Sequence, residues 1–153
     1  MKKTLLLSAI AAVLFSCCPA PQETLSVVPY PNDVTIKSDT FDAQGAAFHY
    51  SADFDEAAQN LIKGFADRLA LVSGSESIVE EGKAGEGFIF ILDPAMPEEA
   101  YSLKITTKAA TVKASSLRGV NYAIQTIKQM LPAQIFGTTP AADQAWTLQC
   151  AVI

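Results

Sequence analysis

The sequence predicts an α+β domain: a mixed β-sheet with two amphipathic helices packed on one face. Three patterns lead to that class. Apolar residues recur at every third or fourth position in two separate stretches, one opening at Asp53 and one near Leu117. Between them lies a continuous apolar run, Phe88-Ile89-Phe90-Ile91-Leu92, and after it come two segments that alternate apolar with polar residues. The resulting order of strands, helix, strand, hairpin and helix buries its apolar faces as a single sheet covered by two helices. At 153 residues the chain is long enough to bury a substantial core without staples.

Leu25-Ser26-Val27-Val28 reads as a short strand, and Pro29-Tyr30-Pro31-Asn32-Asp33 as a rigid turn. Val34-Thr35-Ile36-Lys37 alternates like a half-buried strand, and Ala47-Phe48-His49-Tyr50 is a third short one. Asp53 opens the first helix, with Glu56 at capping-box spacing. Its apolar stripe is Phe54, Ala57, Ala58, Leu61, Ile62, Phe65, Ala66, Leu69 and Val72, and Gly74 supplies the stop. Ser75 to Gly87 is polar and glycine-rich, hence a loop. Phe88 to Leu92, β-branched and aromatic, is expected to be a central strand buried on both faces.

Tyr101 to Thr106 and Thr111 to Ala114 alternate cleanly and form an expected antiparallel hairpin. The second helix runs from about Leu117 to Leu131, with Val120, Ala123, Ile124, Ile127, Met130 and Leu131 as its stripe, and Pro132 ends it. From Ala133 to Gln144 the composition shifts to Ala, Thr, Pro and Gln and reads as a linker. Trp146 to Ile153 then resembles a cut strand, the start of something larger, and should be dispensable to the core. The alternative is a last strand that returns to the same sheet.

Composition excludes several functions. The net charge is −5, and it becomes more negative once a leader carrying Lys2 and Lys3 is removed. Phosphate binding needs a basic stripe, and no such stripe exists, so nucleic acid is not an expected partner. One histidine and three cysteines leave no metal-ligand cluster to search for, and no cofactor is expected.

The N-terminus carries a targeting signal. Met1-Lys2-Lys3-Thr4 is basic, and Leu5 to Phe15 is apolar except for Ser8. That run is too short to span a membrane, for which about 20 residues are needed, but it suits a signal-peptide core. Leu14-Phe15-Ser16-Cys17 resembles a bacterial lipobox. In that reading the leader is cut before Cys17, and the sulfur takes a diacylglyceryl group that anchors the protein to a membrane. An ordinary secretory signal cut near Ala20 is the alternative, and Cys18 offers a second sulfur. The expected organisation is a lipoprotein signal peptide over residues 1–16 and a tether over 17–24. An α+β domain over 25–132 follows, then a linker and truncated start of a further domain over 133–153. Cys150 is a small buried apolar residue in this reading; a Cys18–Cys150 disulfide has no support in the spacing.

Few residues invite a chemical role. Asp55-Glu56 is a carboxylate pair of the kind glycosidases use, but its place in a first helical turn is explained by the helix dipole. Glu80-Glu81 and Glu98-Glu99 read as solvated loop residues. Gly82-Lys83-Ala84-Gly85-Glu86-Gly87 precedes a strand instead of opening a helix, and it lacks the ending of a phosphate loop. His49, between Phe48 and Tyr50, reads as structural. Tyr101, Tyr122 and Trp146 could stack on sugar rings, yet each falls where the pattern predicts packing. No catalytic residue is assigned.

Two stretches together resemble a known family. Val28-Pro29-Tyr30-Pro31-Asn32-Asp33-Val34 is similar to the opening of the N-terminal domain of bacterial β-N-acetylhexosaminidases of glycoside hydrolase family 20. The second stretch is Glu99-Ala100-Tyr101-Ser102-Leu103-Lys104-Ile105, then Val112-Lys113-Ala114-Ser115, then Gly119 to Leu131. The family pattern there is E-x-Y-x-L-x-I, I-x-A and G-x-x-Y-G-x-Q-T-L-x-Q-L; Ala123 replaces a glycine and Ile127 a leucine. The resemblance implies a non-catalytic α+β domain that packs on a following (β/α)8 barrel. The barrel carries the chemistry, so glycan substrate would be met only through that parent enzyme. A stand-alone surface lipoprotein that binds glycan or a partner protein is the competing function.

Overall fold

The computed structural model of the protein describes residues 24–141 and 143–153. The signal peptide, Cys17, Cys18 and all of the tether before Thr24 therefore lie outside the described residues. Seven strands form one sheet: β1 Thr35–Asp42, β2 Phe48–Tyr50, β3 Val79–Glu81, β4 Gly87–Leu92, β5 Tyr101–Ile105, β6 Ala109–Ala114 and β7 Thr147–Val152. Two helices, α1 Glu56–Ser73 and α2 Leu117–Met130, and a 3₁₀ turn at Ala133–Phe136 complete the elements. The strand order is β1-β7-β5-β6-β4-β2-β3. The half containing β6, β4, β2 and β3 is parallel, and the half containing β1, β7, β5 and β6 is antiparallel. The mixed sheet with two helices is the α+β fold that the pattern predicts.

The pleat sorts the sheet into two faces. Phe48, Tyr50, Phe88, Phe90, Leu103, Ile105, Val112, Leu148 and Cys150 share one core with α1 and α2. The alternate positions Lys104 and Lys113 are exposed, and Ser102, Thr111 and Gln149 half-buried. An aromatic group joins α1 to the sheet: Phe48 stacks on Phe88 at 4.5 Å, and Phe65 meets both rings edge-on at 5.4 and 5.6 Å. Such pairs add about 0.5–1.5 kcal/mol each beyond the area they bury.

Both helices lie close to their expected positions. Asp55, not Asp53, caps α1, its Oδ1 accepting from the Ala58 amide at 2.7 Å. The chain thus enters the helix two residues later than the spacing predicts, with Phe54 buried just ahead of the cap. Ala57, counted in the stripe, is exposed. Gly74 ends α1 with φ +69°, as a left-handed C-cap requires.

β4 lies inside the sheet, with Phe88, Ile89 and Phe90 buried, although Ile91 and Leu92 are only half-buried. Gly87 begins it at φ +87°, and a Cβ there would sit 2.3 Å from the Ala47 carbonyl oxygen. Only glycine allows that approach between neighbouring strands. The hairpin of β5 and β6 forms as expected.

Three expectations change. Leu25 to Val28 is not a strand: Leu25 and Val27 instead pack onto Ala151 of β7, with Val34, Ile36 and Ile153 around them. The loop from Ser75 to Gly87 contains β3, so Glu80 and Glu81 lie on an edge strand parallel to β2. Two short strand partners supply too little alternation to be read from sequence.

The largest change concerns residues 133–153. This segment is neither a linker nor the start of another domain, and the domain does not close at residue 132. The 3₁₀ turn buries Ile135, the Trp146 ring is 1% exposed, and β7 fills the gap between β1 and β5. The Leu103 amide donates to the Ile153 carbonyl and the Ile153 amide to the Leu103 carbonyl, each at 2.8 Å. Without β7, β1 would have no neighbour in the sheet.

Candidate functional site

The residues singled out for chemistry are scattered, and most have structural partners. Asp55 is the α1 cap and Glu56 the first residue of that helix. Glu98 and Glu99 are exposed and flank the Arg118 guanidinium at 3.5 and 3.4 Å. Exposed pairs of this kind contribute at most about 1 kcal/mol. His49 is mostly buried on β2, with Nδ1 3.9 Å from Glu80 Oε2, a distance for ion pairing only when the ring is protonated. No group of three metal-ligating side chains forms among the described residues. Among the described residues Cys150 has no disulfide partner; it is buried, and burial pushes its thiol pKa up. Trp146 lies in the core, unavailable to a sugar ring, and its indole N–H has no acceptor among the described residues.

The two family-like stretches do come together, and they do so at one corner. Gln129 of α2 clasps the backbone of Val28: its Oε1 accepts from the Val28 amide at 2.8 Å and its Nε2 donates to the Val28 carbonyl at 3.2 Å. One turn earlier, Thr126 shares a 2.7 Å hydrogen bond with the Tyr101 hydroxyl. Ser116 caps α2, accepting from the Arg118 and Gly119 amides at 3.1 and 3.4 Å, and its hydroxyl donates to the Glu98 carbonyl. Gly119 faces the Ala100 carbonyl oxygen, where a Cβ would come within 2.5 Å. Gly119, Thr126 and Gln129 thus fasten α2 to the loop before β5, to β5 and to the turn at Pro29.

Two clefts flank this latch. One of about 430 Å³ lies between the Pro29–Asp33 turn and Glu99, Ala100, Tyr101 and Ile153. The other, about 270 Å³, is lined by Val28, Pro29, Tyr101, Tyr122, Gln125, Thr126 and Gln129. Tyr101 is half-buried between them, whereas Tyr122 is 43% and Tyr30 55% exposed. The sequence singled out both stretches by resemblance but could not bring them together, because Val28 and Gln129 are 101 residues apart. The period of α2 alone does not say which residue meets its outer edge.

The model of glycosyl hydrolase family 20, domain 2, matches residues 24–153. The chain belongs to that family. A curated β-hexosaminidase from Porphyromonas gingivalis W83 is 26% identical over 122 residues, covering 76% of this chain and 15% of its own. Among solved structures, the β-N-acetylhexosaminidase of Streptomyces coelicolor A3(2) superposes with a TM-score of 0.72 at 21% identity. It covers 82% of this chain and 25% of its own. The Streptomyces plicatus N-acetyl-β-hexosaminidase gives 0.68 at 22%, covering 83% and 25%. These likenesses establish the same fold for the family-20 domain described above. The chain spans only about a quarter of those structures and less of the curated relative.

Proposed function

We propose that this family-20 domain is the non-catalytic accessory domain of an exported β-N-acetylhexosaminidase, held to a membrane by a lipid on Cys17. The observation that carries the reading is the family match over residues 24–153 together with the short share of each relative that it covers. The relatives' names give the activity, and the remaining part of such enzymes is where a catalytic barrel belongs. Within this domain three of the paired carboxylates have structural partners: Asp55 accepts from the Ala58 amide, and Glu98 and Glu99 flank Arg118. Glycoside cleavage needs an acid poised over the leaving oxygen, together with a group that holds the developing positive charge. The export and anchoring part of the reading rests on Lys2-Lys3, the apolar run to Phe15, and the Ser16-Cys17 step.

The enzymatic part is tested by assaying residues 24–153 against an aryl N-acetyl-β-glucosaminide, and by sequencing the reading frame downstream of Ile153. The expected result is no turnover by residues 24–153 and a frame that encodes a barrel. Turnover that disappears in the Asp55→Asn, Glu56→Gln double variant would overturn the non-catalytic assignment. The anchor is tested by fatty-acid labelling, which Cys17→Ala should abolish. Label that survives Cys17→Ala and disappears in Cys18→Ala moves the attachment by one residue.

A further inference from the structure

We propose that the helix-free face of the sheet lies against the anionic headgroups of a membrane, with Lys104 and Lys113 as its principal contacts. Leu103, Ile105, Val112 and Ala114 face the helices, so the residues alternating with them face away. Lys104 and Lys113 are both exposed there on neighbouring strands, Thr111 opposite the first and Ser102 opposite the second. Neither lysine joins an ion pair among the described residues. Lys83 stands on the same side, beside a cleft of about 180 Å³ that Ile89 and Ile91 also line.

Charge complementarity selects the occupant. Strands β4, β5 and β6 hold no carboxylate, although acidic residues outnumber basic ones in the whole chain by 16 to 11. Two carboxylates beside the face have partners: Glu80 lies 3.9 Å from His49, and Glu86 pairs with Lys108 at 3.6 Å. Exposed carboxylates gather elsewhere, with Asp53, Asp55, Glu56 and Asp67 at α1, and Glu98 and Glu99 before β5. An anionic surface repels those regions and attracts the lysine face, so the field turns the domain as well as drawing it in. Lysine suits the task, because its ammonium meets a phosphate as a point charge and demands no fixed geometry.

That the surface is a membrane rests on the lipid anchor at Cys17. Seven peptide steps separate Cys17 from Thr24, a reach of at most about 25 Å even when fully extended. Leu25 then packs on Ala151 of β7, and the next residue of that strand, Val152, pairs with Lys104. The tether therefore joins the fold one strand away from Lys104. Attraction between lysine and headgroup acts over a screening length of about 8 Å at physiological salt. A domain tethered this closely meets the headgroups at high effective concentration, so a few charges suffice to set its orientation.

Lysine acetylation read by mass spectrometry tests this on the mature protein from Cys17 onward. The protein is coupled through Cys17 to a maleimide lipid in a Cys18→Ser background, and buried Cys150 does not compete. On vesicles of phosphatidylcholine and phosphatidylglycerol in equal parts, Lys104 and Lys113 should react several-fold more slowly than on phosphatidylcholine alone. Lys63 on α1 should react equally on both. Salt at about 1 M, where the screening length falls to about 3 Å, should remove the protection. Lys104→Glu with Lys113→Glu should leave Lys83 reacting equally on both vesicles, while Trp146 fluorescence reports an intact fold. Equal reaction of Lys104 on the two vesicles, slowing at Lys63 instead, or protection that survives salt would overturn the orientation and leave the anchor standing. Fatty-acid labelling in cells that misses both Cys17 and Cys18 would overturn the anchor and the orientation with it.

Discussion

Gln129 and Val28 are joined by two hydrogen bonds across 101 residues, and this clasp fixes the N-terminal turn to the outer edge of α2. Neither group is fully buried, so each bond contributes toward the lower end of the usual 0.5–1.5 kcal/mol. Gln129→Ala should therefore cost about 1 kcal/mol in chemical denaturation. Amide exchange should quicken at Val28 while the β4 amides keep their protection. Unchanged exchange at Val28 would show that Pro29 and Pro31 alone hold the turn.

Two glycines on the helices should respond in opposite directions to the same change. Gly119→Ala forces a Cβ to within 2.5 Å of the Ala100 carbonyl oxygen, so α2 must shift from the loop before β5. The expected loss is about 1–3 kcal/mol, typical of overpacking. Gly64 lies in α1 with nothing within 4 Å of its notional Cβ. Gly64→Ala should add about 0.5–1 kcal/mol by reducing the entropy of the unfolded chain. Thermal unfolding of both variants checks the contrast.

Residues 133–153 should be indispensable. Trp146→Ala opens a cavity at a fully buried site and should cost about 3–5 kcal/mol. Deletion of the whole segment removes the strand between β1 and β5 and should abolish cooperative unfolding in calorimetry. A sharp transition near the original midpoint would mean that the sheet closes without β7.

Lys128 introduces a pH dependence. Its Nζ lies 5.8 Å from the centre of the Phe65 ring, and partial burial, with Arg68 nearby, lowers its pKa below 10.5. The folded state then releases this proton before the unfolded state does. In that interval the unfolded chain binds more protons, so stability contributed by this site rises with pH. The penalty is fully present at neutral pH and relieved as pH climbs through the lowered value toward 10.5. The stability difference between the wild type and Lys128→Met, measured in denaturant from pH 7 to pH 10, should shift in favour of the wild type as pH rises.

Residue pattern made the fold legible where one element decides its own partner. The stripe from Ala58 to Val72 and the run from Phe88 to Phe90 each specify a buried face by period and hydrophobicity alone. The pattern failed at Leu25 to Val28, where two buried residues look the same in a strand and in a packed coil, because alternation records burial and not ladder hydrogen bonds. The corner site was half legible. Its residues stood out by resemblance, but their tasks depend on which of them meet Val28, Ala100 and Tyr101.

By itself the sequence determined the α+β class, both helices, the hairpin and the family, because these follow from local period and from motifs within short stretches. Only the tertiary structure decided that Thr147 to Val152 belongs to this sheet and that Tyr122 and Gln125 remain outside the latch. A strand's identity is written in its alternation, but its place in a sheet is set by the neighbours it finds. β7 found β1 and β5 more than 40 residues away in sequence, so no local signal could assign it there.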